Sequence, residues 1–318
     1  MMNLSCLTRK INALAFILGL KDPQMPQIFE HFGVRLTDLY HRLEKTKTFT
    51  TNIKEVDSLL ETLPPPIRNQ LLNYGVGVEV EVENCAGRPA DGWEVVADGS
   101  LRNHGVEYKT NYGHRIYHLI QSLSSLKSTL YSQDGNPQFS ERTSIHVHLD
   151  VRTLTMEQLH SFVLVYMIFE DALFAISGEK REHNIYCTPF LQSTTVNIKP
   201  EVRSPSGMLK YFISQASKYT AMNLRCVTEF GTVEFRHMEG NCDIERIFKW
   251  VCLLGLLKCY AKSIPLIILE QKINDLKSQS HFEEFAREVF FDFAKLLKIN
   301  PQQISANLSK TKLLLPEH

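Results

Sequence analysis

The chain has 318 residues, 43% of them hydrophobic and 22% charged, enough for one large globular domain or two ordinary ones. Its 35 basic residues balance 35 acidic ones, which argues against a bulk electrostatic nucleic-acid binder. Seven cysteines, an odd number with no CxxC spacing, argue against a disulfide framework or a cysteine zinc site and point to reduced thiols in a cytoplasmic protein.

Arg9-Lys10 precedes an apolar run over 11–20 that imitates a secretory leader. Asn12 interrupts it, and Lys21-Asp22-Pro23 follows where small cleavage-site residues belong, so the run reads as a short amphipathic helix. No stretch reaches the ~18 uninterrupted apolar residues of a membrane span. The nearest, 162–176, is broken by Glu170-Asp171, so no membrane partner is expected. Residues 1–73 are expected to be a helical region acting as a lid, cap or interaction arm. Pro23 and Pro26 separate a first helix from a second over about 27–44, and Pro64-Pro65-Pro66 is a stiff break.

A core is expected over 74–265. In 74–83, Val76, Val78, Val80 and Val82 fall on one face of a strand and Glu79, Glu81 and Glu83 on the other. Three carboxylates on one face repel each other, and a bound Mg²⁺ or Mn²⁺ relieves that as well as solvent does. Trp93 to Ala97 reads as a strand, Asp98-Gly99-Ser100-Leu101 as a turn, and 105–109 as a strand with Glu107 and Lys109 on one face. Helical spacing of Ile116, Leu119, Ile120, Leu123 and Leu126 predicts a helix over 114–130. The strand over 144–152 separates Ile145, Val147, Leu149 and Val151 from His146, His148, Asp150 and Arg152.

Thr155 and Gln158 fit a capping box opening a buried helix to about residue 177. Residues 179–205 read as an irregular substrate loop and 206–218 as a helix. Two strands are expected over 223–230 and 232–238, joined near Gly231. Val233 and Phe235 then face one way and Glu234 and Arg236 the other; His237 falls on the apolar side and reads as a core histidine. Asn241 or Asp243 caps a further helix. A helical region over 266–318 closes the chain, its tail read as structural packing rather than a helix-turn-helix. This order predicts an α+β fold, a mainly antiparallel sheet with helices on one face. No Walker A motif or Gly-rich turn after the first strand supports a doubly wound nucleotide fold.

If the strands share a sheet, Glu79, Glu81, Glu107, His146, His148, Glu234 and Arg236 converge, with Asp98, Lys109 and Arg152 near by. Several Glu with one or two His suit Mg²⁺ or Mn²⁺ better than structural zinc. A guanidinium two residues from Glu234 is placed to pair with an anion on the same metal, and phosphate is the natural anion. Taken singly, each piece is an ordinary solvated strand face, surface pair or turn; three independent strands repeating the design make the set. An ATP-dependent ligase, a metal-dependent hydrolase of phosphate or amide bonds, and a non-catalytic binding protein all remain open on these residues.

The stretches Gly77 to Glu81, Trp93 to Leu101, Gly105 to Tyr108, His146 to His148, Tyr219 to Leu224, and Gly231 to Arg236 resemble, in order and spacing, the amidoligase family. That family belongs to the carboxylate–amine ligase superfamily, alongside glutamine synthetase and glutamate–cysteine ligase. The resemblance covers about residues 75–260. It implies a glutamine synthetase-like catalytic core and an ATP-dependent ligase that activates a carboxylate as an acyl phosphate for attack by an amine, on a peptide or small amino compound. By the same resemblance Glu79, Glu81, Glu107, His146 and Glu234 bind metal, and His148 lies near the nucleotide phosphates. Arg236 steadies the transferring phosphate, and Asp98, Ser100, Tyr219 and Asn223 contact substrate or nucleotide. Lys109, Arg152, Arg181 and Arg203 suit an acidic substrate. The resemblance leaves the two ends of the chain without a counterpart and the oligomeric state open.

Overall fold

The computed structural model describes residues 53–315 apart from 112, 133–135, 179–180, 194–203 and 216. The helices expected before residue 44, Arg203 and part of the expected substrate loop (179–180 and 194–203) lie outside the described residues. The strands are β1 Gly75–Val82, β2 Trp93–Ala97, β3 Val106–Thr110, β4 His114–Arg115, β5 Ser144–Asp150, β6 Met222–Asn223 and β7 Thr232–Glu239. The helices are α1 Lys54–Thr62, α2 Pro65–Leu72, α3 Ile116–Leu130, α4 Met156–Ser177, α5 Phe190–Ser193, α6 Pro205–Gln215, α7 Cys226–Phe230, α8 Ile244–Ser263, α9 Leu266–Asp275, α10 Gln279–Phe290 and α11 Pro301–Lys312, with a 3₁₀ turn at Phe291–Leu296. The fold is α+β.

All seven strands join one antiparallel sheet in the order β2-β3-β1-β5-β7-β6, with β4 on the end of β1. The glutamate strand is therefore central, and its register decides who meets whom. Directly opposed residues point to the same face. Glu79 stands between Lys109 of β3 and His146 of β5, Glu81 opposes Glu107, and His148 opposes Glu234 of β7. Between Ile145 and Val147 the pairing with β7 slips. Arg236 and His237 there oppose the single residue His146, a β-bulge of the kind that re-aims side chains beside a site.

The other face is the core. Val76, Val78, Val80 and Val82 are at most 1% exposed, and burying each contributes about 1.5–3 kcal/mol. Helices α3, α4 and α8 cover this face: Phe162 of α4 meets Phe235 edge-on, and Trp250 of α8 lies against His237. Thr155 and Gln158 form the expected capping box on α4. Asp243, of the two candidates, caps α8 by accepting from the Arg246 amide. Helix α4 is long and apolar enough to cross a membrane, yet it is mostly buried inside the fold, with Glu170 wholly enclosed.

The three prolines do separate α1 from α2, with Pro65 in the first turn of α2 where its missing N–H costs nothing. Both helices pack on α8, Leu71 lying against Gly255, so the described part of the N-terminal region buttresses the core behind the sheet. The C-terminal helices pack there too, Phe285 stacking on Phe169 of α4 and Asn307 donating to Asp171. Structural packing is thus the role the tail fills. One expected element needs correction. Residues 223–230 are not a strand: only Met222–Asn223 pairs with β7, and Cys226–Phe230 is a helix. The Asn223 side chain accepts from the Arg225 amide and turns the chain; Gly231, at φ 70° in the left-handed region, then ends the helix.

Candidate active site

Four strands deliver the polar face. The Nδ1 atom of His146 lies 3.2 Å from Glu79 Oε2, 3.5 Å from Glu234 Oε1 and 3.9 Å from Glu107 Oε1. Its Nε2 lies 3.7 Å from Glu81 Oε1, and His148 Nε2 lies 3.5 Å from Glu79 Oε1. Arg236 Nη1 pairs with Glu234. Two groups have donor atoms close enough together to hold a metal ion, Glu79–His148–Glu234 and Glu79–Glu107–His146, and they share Glu79.

This cluster is deep. Glu81, Glu107, His146 and Glu234 are each at most 8% exposed, where an unpaired charge is costly. Burial opposes the charge on Glu79, but hydrogen bonding and charge from His146 and His148 outweigh it and hold its carboxyl well below the usual range. Glu234 is likewise drawn down to about 2, against burial, by His148, His146 and Arg236. Burial also works against His148⁺, and Glu79 and Glu234 still raise it. Glu107 goes the other way: burial and then the charge of Glu79 push it up to about 8, despite Lys109. Oxygen-rich donors and two imidazoles, with His148 Nε2 3.5 Å from Glu79 Oε1, are a fitting set for Mg²⁺ or Mn²⁺.

The family model described as "Putative amidoligase enzyme" matches residues 70–255, more than half of the chain. The chain belongs to the amidoligase family. A search of the curated proteins returns no match. The matched span of this amidoligase contains every strand of the sheet and all of the cluster, and the family's description makes it an enzyme of the ligase class.

Other expected residues of the amidoligase sheet sit around the cluster or away from it. Lys109 is inside: its Nζ is 2.6 Å from Glu107 Oε2 and 3.5 Å from Glu79 Oε1. Burial disfavours its charge, yet Glu79 and Glu107 hold its pKa above the ordinary lysine value. Asn223 is also inside, donating to Glu234 Oε2 at 2.7 Å. Arg152, by contrast, folds back on Asp150 through two hydrogen bonds at the end of β5. Asp98 accepts from the Ser100 amide in an exposed turn, and Tyr219 stands edge-on to Tyr186. Arg181 is 2% exposed and donates to the Arg236 carbonyl, so it fixes the strand that carries Arg236.

Three supporting residues escaped the sequence reading. Ser144 donates to Glu81 from its amide at 2.7 Å and its hydroxyl at 2.6 Å, and the hydroxyl lies 2.7 Å from His146 Nε2. Thr232 lies 3.1 Å from His148 Nδ1, fixing that ring with Nε2 toward Glu79. Cys226 Sγ lies against Glu234 Oε2 at 3.4 Å. Ser144 and Thr232 each precede a chosen residue by two, on the same strand face, so strict alternation was a signal for both. Cys226 had none, because α7 was read as a strand.

Proposed function

We propose that this amidoligase joins a carboxylate to an amine at the expense of ATP, with Mg²⁺ or Mn²⁺ held by Glu79, Glu81, Glu107, His146, His148 and Glu234. The observation that carries the reading is the convergence of these groups with Arg236 on one sheet face. A bound divalent ion would neutralise phosphate oxygens and so reduce their repulsion of an incoming carboxylate.

The chain's own groups then have distinct tasks. Arg236, steadied by Glu234 and by the Tyr186 carbonyl, presents a guanidinium suited to the transferring phosphoryl group. The substrate carboxylate oxygen attacks the γ-phosphorus, the bond to ADP breaks, and an acyl phosphate forms. The amine attacks the acyl carbon, phosphate leaves, and the amine gives up a proton. Glu107, paired with Lys109 at the edge of the cluster's Glu79 group, is the proposed acceptor of that proton. Asp98, Ser100, Tyr219 and Asn223 are proposed contacts to nucleotide or substrate, and peptides or small amino compounds are the proposed substrate class.

Hydroxylamine tests this directly. Incubating the protein with ATP, Mg²⁺ and a panel of carboxylates should yield a hydroxamate and ADP in equal amounts with at least one carboxylate. ADP and phosphate formed without any carboxylate dependence would contradict the ligase chemistry.

A further inference from the structure

We propose that Lys109 is a tethered cation that takes the place of a second metal ion, so that the site binds a single divalent ion through Glu79, His148 and Glu234. This rests on the metal-dependent reading above and narrows it. The sheet register makes the placement unavoidable: Lys109 is the direct cross-strand partner of Glu79, so its side chain rises on the polar face beside the central carboxylate. Its ammonium contacts Glu107 at 2.6 Å and Glu79 at 3.5 Å, two of the three residues of the Glu79–Glu107–His146 group. An ion bound there would meet a positive charge already bonded to its ligands.

The Glu79–His148–Glu234 group differs. His148 Nε2 lies 3.5 Å from Glu79 Oε1 and Thr232 holds the other ring nitrogen, so Nε2 is aimed at the carboxylates with which it would share an ion.

Mn²⁺ binding to the full-length protein, read by calorimetry and by the loss of the free-ion paramagnetic signal, tests this without any substrate. Wild type should bind one Mn²⁺; Lys109→Met, which keeps the aliphatic stem and removes the charge, should bind two, the second at least about tenfold tighter than any second ion in wild type. Lys109→Gln serves as an independent neutral variant, and a cooperative melt shows that each variant is folded. Two ions of comparable affinity in wild type would overturn the lysine proposal while leaving the metal-dependent reading intact. One ion in both wild type and folded variants would also overturn it. No ion in any of them would overturn the metal-dependent reading, and the lysine proposal with it.

Discussion

His146 and His237 lie on neighbouring strands of one sheet and have opposite fates. His146 points to the polar face, and the carboxylates of Glu79, Glu81, Glu107 and Glu234 lie within 4 Å of its ring nitrogens. His237 points to the helices, among the rings of Phe174 and Trp250, with Nε2 2.7 Å from the Tyr166 hydroxyl. Burial lowers His237 to about 3, so it stays neutral, and the hydroxyl of Tyr166 in turn donates to Glu170. Glu170 accepts the amides of Phe190 and Leu191, so the pair ends in a backbone anchor. The residue type is shared; the face decides whether it does chemistry or packing. Alternation along a strand is therefore a functional signal only when neighbouring strands supply partners on the same side.

Substitutions on the two faces should fail differently. The largest effect is expected on the polar face: Glu234→Ala or Arg236→Ala should reduce ATP turnover by at least about 10²-fold while circular dichroism and cooperative melting persist. Full activity in both would sink the assignment. On the apolar face, Phe235→Ala, one residue between those two, should cost about 3–5 kcal/mol of stability in urea unfolding through the cavity it leaves. The protein that remains folded should keep its metal affinity; a selective loss of metal binding at unchanged stability would break the comparison.

A smaller effect is expected at Thr232, whose hydroxyl lies 3.1 Å from Nδ1 of His148 and so orients that ring. Thr232→Val should weaken Mn²⁺ binding by about 10–100-fold, read by calorimetry. Unchanged affinity would show that the ligands are held without it. The smallest effect sharpens the contrast within the core. His160 of α4 is fully buried, both ring nitrogens lack hydrogen bonds, and burial lowers it to about 4 from 6.5. Its folded value lies below its unfolded one, so its contribution is complete above about pH 6.5 and is lost as pH falls toward 4. His160→Leu should stabilise the protein by about 1 kcal/mol at pH 7 and flatten that part of its acid-unfolding profile. A destabilised variant with an unchanged profile would mean that the imidazole is satisfied.

Much of this was legible before the structure. Alternation in 76–82, 145–151 and 233–236 separated core from polar face, and the capping residues Thr155 and Asp243 marked the two central helices. What alternation could not supply was register. Lys109 reads as a surface charge or substrate contact until β3 is known to pair with β1, which puts it beside Glu79. The bulge at Arg236 and His237 is a two-strand property and leaves no trace in one strand's pattern. Residues 226–230 were misread because Val, Thr and Phe favour strands, and the Asn223 turn and Gly231 stop won locally. Arg152 was on the expected face but at the strand end, where Asp150 was the nearer partner.

The central claim is that this polar face binds nucleotide through a metal. Calorimetry with a non-hydrolysable ATP analogue, with and without Mg²⁺, on wild type and Glu234→Ala tests it most directly. The account predicts binding that needs Mg²⁺ and is lost in the variant. Metal binding without nucleotide binding would contradict the ligase and favour a metal-dependent hydrolase; binding of neither would leave the polar face without the role assigned to it.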